Sequence, residues 1–199
     1  MHLRGIFQAI IVSYISDLYF AYPLSAEPAR NLSLPIAELR DSHSPYTSYC
    51  IRNPKHCDLS GPHEISYLPD TILLLEAANE AARRAIDCSV TDLELYGVEE
   101  YWAFPAAGFG DCEDISLYKR EWLVQQGLPR GAMTIAIVQH RRTLSSHAVL
   151  LVETTYGTYL LDTLENEVDV WHSSPYNFES RERPDGKWER YDQGIWSYD

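Results

Sequence analysis

The sequence is poor in positive charge. It contains 16 Lys and Arg residues against 29 Asp and Glu residues, which gives a formal net charge of −13 at pH 7. Proteins that bind phosphate backbones or anionic lipid surfaces rely on an excess of Lys and Arg. The balance therefore argues against nucleic acid as a partner, although the acidity itself selects no function, because a solvated negative surface keeps many proteins in solution.

Long apolar runs are also scarce, and the candidate lies at the N-terminus. Residues 6–15 are mostly apolar, but Asp17 interrupts the run before it reaches the roughly 20 residues that span a membrane. Arg4 precedes the run and small residues follow it, which is the order of a secretory signal peptide. A buried N-terminal helix or strand is the alternative. We expect residues 1–26 to be a signal peptide and, after its removal, no stable membrane insertion.

Cysteine is limited to four residues. Cys50 and Cys57 flank a turn-forming stretch, so a disulfide between them is expected in an oxidising compartment. Half of a metal site is the other interpretation, but the sequence has no second cysteine pair to complete a four-thiolate zinc cage. The pairing of Cys88 stays open, and Cys112 has reason to remain a free thiol.

The composition suits one globular domain. With 45% hydrophobic and 23% charged residues in 199 positions, the chain can bury one core of ordinary size. Residues 27–69 are rich in Pro, Ser and His and are expected to form an irregular N-terminal arm. Helical spacing begins after Asp70, a good N-cap residue, and continues to residue 87. A second helix is predicted over residues 112–126.

Strand patterns follow the helices. Four segments of strand length are apolar or rich in β-branched residues: 133–138, 147–154, 158–164 and 168–171. The pair Tyr156-Gly157 marks a hairpin between two of them. Helices followed by antiparallel strands predict an α+β domain over residues 70–199, with the helices packed on one face of the sheet. The charged stretch 181–186 is expected to be a solvated turn.

One cysteine lies where reactive chemistry is expected. Cys112 follows a Gly-containing loop and begins the second predicted helix, where free N–H groups stabilise a thiolate and can hold an oxyanion. His147 begins one strand and Asp162 ends the next, so a hairpin can bring the two together. We therefore predict Cys112 as nucleophile, His147 as base and Asp162 as its orienting partner. An inert buried cysteine and a packing histidine are the alternative. Five other histidines are competing bases: His43, His56, His63, His140 and His172.

Four short runs carry a family resemblance: GDCED at residues 110–114, LYKR at 117–120, HAVL at 147–150 and LD at 161–162. Together they resemble the bacterial transglutaminase-like cysteine peptidases, in their LapG-like proteobacterial branch, over most of the chain. The resemblance implies a papain-like, transglutaminase-like core. It also implies a catalytic triad of Cys112, His147 and Asp162.

The same resemblance implies a calcium site. Members of this branch bind calcium with acidic residues that flank the nucleophile, which corresponds to Asp111, Glu113 and Asp114 here, and oxygen ligands suit that ion. A reciprocal helix cap made by Asp111 and Asp114 is the structural alternative. Three carboxylates disfavour ionisation of a neighbouring thiol. We hypothesise that bound calcium offsets their charge and fixes the turn that carries Cys112.

The resemblance further implies a periplasmic or secreted endopeptidase. Its substrate would be an envelope or surface protein, such as an adhesin, and an inner-membrane cyclic-di-GMP receptor would restrain it. Two other functions stay open. A transglutaminase-type acyl transferase would capture the same thioester with an amine instead of water. A calcium-dependent binding module would use the fold without catalysis.

Overall fold

The computed structural model describes residues 29–105, 107–164 and 168–198, so the predicted signal peptide, residues 1–26, lies outside it. Within the described ranges the chain forms one seven-stranded antiparallel sheet and four α-helices. The predicted α+β class is confirmed. The elements, in chain order, are β1 (Ile36–Asp41), α1 (Ser44–Arg52), α2 (Thr71–Ala85), α3 (Asp92–Tyr96), α4 (Cys112–Gln125), β2 (Met133–His140), β3 (Ser146–Thr154), β4 (Gly157–Leu161), β5 (Val168–Val170), β6 (Tyr176–Glu182) and β7 (Lys187–Tyr191).

Both helices predicted from apolar spacing are present as α2 and α4. Leu75, Ala78 and Ala82 of α2 recur at helical spacing and are fully buried, so they form the inward face of the helix. Asp70 occupies the N-cap position of α2, but its side chain makes no capping hydrogen bond. Just beyond α4, Gly127 has a φ of 95°, a left-handed conformation that glycine adopts without strain.

The sheet has the strand order β1-β7-β6-β2-β3-β4-β5. The hairpin predicted at Tyr156-Gly157 is confirmed, because β3 and β4 pair antiparallel from Thr154–Gly157 to Leu150–Leu161. The larger core cluster lies between the sheet and the helices, and it combines residues of α1, α2 and α4 with inward residues of β2, β3 and β4. The sheet therefore places α4 against β3, where the candidate site forms.

The arm over residues 27–69, expected to be irregular, contains β1 and α1. The first of these pairs with β7 at the edge of the sheet, and the second buries Tyr46 and Tyr49. The expectation of irregular structure is wrong, and the exposure of β1 and the shortness of α1 explain why the sequence did not indicate them. Almost every side chain of β1 is exposed, so the strand shows no apolar alternation, and α1 has only nine residues.

The expectation of a solvated turn over residues 181–186 is wrong for its first two residues. Arg181 and Glu182 belong to β6, and Glu182 is 2% exposed. Its carboxylate pairs with the fully buried guanidinium of Arg120 on α4 and accepts hydrogen bonds from the Tyr46 hydroxyl and the Ile135 N–H. Partners from three other elements therefore compensate the buried charge of Glu182, and the local sequence pattern does not predict them.

The disulfide predicted between Cys50 and Cys57 is present. It links α1 to a short 3-10 turn, and the carbonyl oxygen of His56 in that turn accepts a hydrogen bond from Arg120 at 3.0 Å. Cys88 is an exposed free thiol and Cys112 is a partly buried one. Among the described residues, no helix has the length and apolar character required to cross a membrane.

We expect Glu182→Leu to lower the free energy of unfolding by roughly 3 kcal/mol, because it leaves the Arg120 guanidinium buried without an anionic partner. Urea unfolding followed by circular dichroism measures the change. Glu179→Leu is the matched control, since Glu179 lies on the same strand, is partly exposed and meets Arg40 only at 3.8 Å. Equal losses in the two variants would contradict the importance assigned to the buried pair.

Candidate active site

Cys112 is the first residue of α4, and its sulfur lies against β3. The Ala148 N–H of that strand donates to Cys112 Sγ at 3.4 Å. The thiol in turn donates to Glu113 Oε2 at 3.2 Å. The nucleophile predicted from the loop-to-helix pattern is therefore placed at a helix N-terminus and in contact with the strand that carries His147.

His147 and Asp162 form a buried hydrogen-bonded pair. The Nε2 atom of His147 lies 2.9 Å from Asp162 Oδ1, and the two residues are 4% and 2% exposed. Asp162 also accepts hydrogen bonds from the Tyr176 hydroxyl and the Leu164 N–H. Burial raises the pKa of Asp162, but the hydrogen bonds from His147 and Tyr176 outweigh it and bring the pKa down to about 2.

The ionised state of Asp162 fixes the roles of the two ring nitrogens of His147. A carboxylate only accepts hydrogen bonds, so Nε2 must carry the proton in this pair. The Nδ1 atom is then the imidazole nitrogen that can accept a proton from a thiol. The hairpin argument predicted that His147 and Asp162 would meet, and their distance agrees with it.

In the described part of the chain no hydrogen bond joins Cys112 Sγ to His147, and the thiol proton is directed to Glu113 instead. Burial raises the pKa of Cys112 well above its usual range, and the Glu113 charge raises it further, whereas the Ala148 N–H lowers it. The arrangement therefore holds sulfur as a thiol.

Three carboxyl groups converge beside the nucleophile. Asp92, Asp111 and Glu113 each offer one oxygen, and these oxygens lie within 4.8 Å of one another. Among the described residues, Asp92 Oδ1, Asp111 Oδ1 and Glu113 Oε1 are buried oxygens without a hydrogen-bond donor. Buried acceptors normally have a partner. Converging carboxylate oxygens that lack one fit a hard divalent cation such as calcium.

The cluster differs in one residue from the predicted set of Asp111, Glu113 and Asp114. Asp114 lies beside it, where Oδ1 accepts the Ala103 N–H at 2.7 Å and Oδ2 is buried without a donor. Asp92, which begins α3, takes the third place and was missed by the sequence analysis. Asp92 lies twenty positions before Cys112 in the sequence, and its part in the cluster becomes recognisable only when the fold brings the starts of α3 and α4 together.

The capping interpretation of Asp111 is wrong. Asp111 occupies the N-cap position of α4, but its side chain makes no capping hydrogen bond. One of its oxygens instead belongs to the carboxyl cluster. The helix start is therefore organised around the cluster rather than around a reciprocal cap.

Burial dominates the titration of these acids. It raises the pKa of Glu113 to about 9 and that of Asp114 to about 8, and the charge of Asp111 adds to both shifts. Burial also raises the pKa of Asp111 itself. Without a cation, the cluster therefore holds protons at neutral pH that free carboxyl groups would have lost.

A cleft of about 510 Å³ opens beside these residues. Ala85 at the end of α2, Gly108 in the loop before α4 and Thr163 contribute to its walls. Because Thr163 directly follows Asp162, the cleft adjoins the candidate site and offers space for a segment of another chain.

The competing histidines lie elsewhere. The His43 ring packs against Trp102 and Trp188, with centroids 4.9 Å and 5.1 Å away. His56 Nδ1 hydrogen-bonds the Tyr49 hydroxyl at 2.6 Å. His63 Nδ1 lies 3.4 Å from the Gly131 carbonyl oxygen, His140 Nδ1 accepts the Arg142 and Thr143 N–H groups, and the His172 ring packs against Trp171. Among the described hydrogen bonds, none joins these five rings to Cys112 or Asp162, whereas His147 contacts Asp162.

The family comparison matches residues 38–194 to bacterial transglutaminase-like cysteine proteinases, BTLCP. This range covers more than half of the chain. The protein belongs to that family, and it is therefore a cysteine peptidase with a transglutaminase-like fold. The resemblance drawn from the four short runs is confirmed.

Solved structures show the same fold. Calcium-bound LapG from Legionella pneumophila superposes with a TM-score of 0.52 and 21% sequence identity, over 77% of this chain and 86% of that chain. EGTA-treated LapG from Legionella pneumophila superposes with a TM-score of 0.51 and 23% identity, over 63% and 70%. The search of curated proteins found no match.

The raised pKa values of Glu113 and Asp114 predict how stability depends on pH without divalent cations. Their neutral forms favour the folded state fully below about pH 4, and this contribution is lost as pH rises through about 8 and 9. In EGTA, the melting temperature should therefore fall between pH 6 and pH 8.5. Glu113→Gln should raise the free energy of unfolding at pH 8 by on the order of 2 kcal/mol, because Glu113 must take up a proton when the chain folds at this pH, whereas glutamine is already neutral.

Thermal unfolding at the two pH values measures both effects. Glu76→Gln, which changes an exposed carboxylate on α2, is the matched control and should leave the pH dependence unaltered. A wild-type protein equally stable at pH 6 and pH 8.5 in EGTA would contradict the prediction.

Proposed function

We propose that this cysteine peptidase hydrolyses a peptide bond in a protein substrate with Cys112, His147 and Asp162 as its catalytic residues. The observation that carries the proposal is the buried 2.9 Å contact between His147 Nε2 and Asp162 Oδ1. The next residue along the strand, Ala148, contacts the Cys112 sulfur. These two contacts support the assignment of Cys112 as nucleophile and His147 as its oriented base.

Each residue has a defined role in the proposed reaction. Asp162 holds the Nε2 proton of His147, so Nδ1 takes the thiol proton. The Cys112 thiolate attacks the substrate carbonyl carbon, and the imidazolium returns the proton to the departing amine as the thioester forms. Water, activated by the same imidazole, then adds to the thioester and releases the acid and the free thiol.

The start of α4 supplies the electrostatic part of the mechanism. N–H groups in the first turn of a helix have no acceptor within that helix, and the helix dipole adds positive potential there. A carbonyl oxygen bound next to Cys112 would meet these donors as it becomes an oxyanion. The same donors favour the thiolate.

We propose that the substrate segment lies in the cleft beside Thr163. Its walls combine the small residues Ala85 and Gly108 with the larger side chains of Arg84 and Ile115. A surface adhesin as substrate and an inner-membrane cyclic-di-GMP receptor as restraining partner complete the proposal. These two partners rest on the family resemblance.

We propose a periplasmic or secreted location. The disulfide between Cys50 and Cys57 supports it, because such bonds form and persist in oxidising compartments. Removal of residues 1–26 as a signal peptide is part of the same proposal. The mature chain would then begin in the segment that leads to β1.

We propose calcium as the ion of the carboxyl cluster, held by Asp92, Asp111 and Glu113, with Asp114 beside them. The buried oxygens without donors support this choice, as does the calcium-bound state of LapG among the similar structures. When bound, calcium would displace protons from these carboxyl groups, neutralise their charge and compete for Glu113, whose Oε2 now accepts a hydrogen bond from the Cys112 thiol. Backbone carbonyls or water would complete the usual six to eight ligands.

We expect calcium to lower the pH at which Cys112 reacts with iodoacetamide. In EGTA, Asp114 and Glu113 ionise as pH rises through about 8 and 9, and their charge then opposes the thiolate, whereas bound calcium neutralises that charge. The Cys88→Ala background leaves Cys112 as the free thiol, and mass spectrometry of the labelled peptide gives the rate at each pH.

Two variants test the assignment of the ion site. Asp92→Asn should abolish the calcium response, whereas Asp185→Asn, in the exposed turn before β7, should keep it. Indistinguishable curves with calcium and with EGTA would remove the electrostatic role of the ion from the proposal.

We expect Cys112→Ala to abolish cleavage, a loss of at least about a thousandfold, because no other group replaces the thioester-forming sulfur. Purified protein is incubated with candidate envelope proteins, and mass spectrometry maps new peptide termini. Cys88→Ser is the matched control and should retain most of the activity, because Cys88 lines the cleft as an exposed thiol and serine keeps the size of its side chain. Unchanged cleavage by Cys112→Ala would reject the assigned nucleophile.

The same reactions distinguish hydrolysis from acyl transfer. With a primary amine present, hydrolysis gives free carboxyl termini, whereas a transglutaminase-type reaction gives amide products that contain the amine. Predominant amine capture would replace the peptidase step of the proposal by the alternative.

A further inference from the structure

Lys119 is a buried lysine that the proposed catalytic steps do not use. It lies on α4 about two turns after Cys112, so both residues belong to the same face of the helix. Side chains of a helix lean toward its N-terminus. The Lys119 side chain therefore extends toward the end of the helix that carries Cys112. The residue is only 1% exposed.

The ammonium contacts the strand that leads to Asp162. Lys119 Nζ donates a hydrogen bond to the Leu161 carbonyl oxygen at 3.2 Å. Leu161 is the last residue of β4, so the contact lies where the chain leaves the sheet and Asp162 begins. A bond at this point restrains the direction in which the Asp162 carboxylate leaves the strand.

The charge of Lys119 faces the candidate active site. Burial lowers the pKa of Lys119 to about 7, and the negative charges of Asp162 and Cys112 oppose that shift. An apolar side chain of similar length would fill the same space without the cost of burying an ammonium. The anions of the site therefore favour the ammonium form of Lys119 against the effect of burial.

Arg120, the residue next to Lys119, is directed to a different part of the protein. Arg120 is also fully buried, but its guanidinium pairs with Glu182 of β6 and donates to the His56 carbonyl oxygen. The two consecutive cations of α4 thus serve different regions. Arg120 joins the helix to the sheet and to the disulfide-linked turn, whereas Lys119 reaches the end of β4.

We propose that Lys119 is a positioning residue whose ammonium anchors the end of β4 through the Leu161 carbonyl and keeps the Asp162 carboxylate aligned with His147 Nε2. This inference deepens the proposed peptidase function and rests on it for its kinetic consequences. Lys119 itself transfers no proton and touches no reacting atom.

Lys119→Met tests the proposal, because Met keeps most of the aliphatic chain and removes the ammonium. We expect kcat for a cleaved peptide to fall about 10-fold to 100-fold, the range typical of outer partners that orient a functional histidine. KM should change by less than about twofold, because no substrate contact is lost. Lys187→Met, which removes an exposed lysine on β7, is the matched control and should leave both constants unchanged.

Two further measurements separate positioning from packing. In proton-detected NMR of 15N-labelled protein, the Nε2–H signal of His147 should lie downfield in the wild type and move upfield or broaden in Lys119→Met. The melting temperature should not fall, since the substitution removes a buried charge. An unchanged His147 signal would overturn the proposal whether or not kcat falls, as would a lower melting temperature in Lys119→Met.

A second variant keeps the proposal testable if the first one does not fold. If Lys119→Met does not fold, Lys119→Gln is measured by the same NMR and unfolding criteria, and failure of both variants to fold would assign Lys119 a structural role and overturn the proposal. If the wild-type protein cleaves no substrate, the proposed function fails. The NMR and melting measurements still decide the role of Lys119 in that case.

Discussion

The structure depends on how the first turn of α4 accommodates buried negative charge. Glu113 and Asp114 are 4% and 0% exposed, and Cys112 must become an anion to react. The helix N-terminus favours negative charge, but several acids in one low-dielectric region raise each other's pKa. The fold tolerates them when they are protonated and, under the proposed function, when they bind a cation. The acids keep the thiol protonated in the absence of a cation. Under the proposed function, cation binding by the same acids favours the thiolate.

Two parts of the fold meet to form the site, and they are fixed by different forces. The β3–β4 hairpin brings His147 and Asp162 together through its backbone pairing. The sulfur belongs to α4, whose distance from β3 depends on tertiary contacts. The Ser116 hydroxyl lies 2.8 Å from the Cys112 carbonyl oxygen and 3.3 Å from that of Ala148, so it ties the helix to the strand at the level of the nucleophile. Small displacements of α4 would therefore alter the sulfur contact without disturbing the histidine pair.

Sequence patterns predicted the elements that have their own periodicity. Helices α2 and α4 and the hairpin of β3 and β4 carry apolar spacing or a turn signal, and the structure confirms them. Strand β1 lies at an exposed edge and β6 buries Glu182, so neither shows the alternation expected of a half-buried strand. The same limit applies to the carboxyl cluster. Asp111 and Glu113 adjoin the nucleophile in sequence, whereas Asp92 reaches it only through the packing of α3.

The polarity of α4 explains why its register is strict. Helices that pack through an apolar stripe can shift slightly, because one methyl group replaces another at modest cost. Here the buried surface of α4 includes Asp114, Lys119 and Arg120, each of which meets a particular partner outside the helix. A displacement by one turn would separate these charges from their partners inside the protein, at a cost of several kcal/mol for each. The energetics that make the helix expensive to bury therefore also fix Cys112, the proposed nucleophile, at one position against β3.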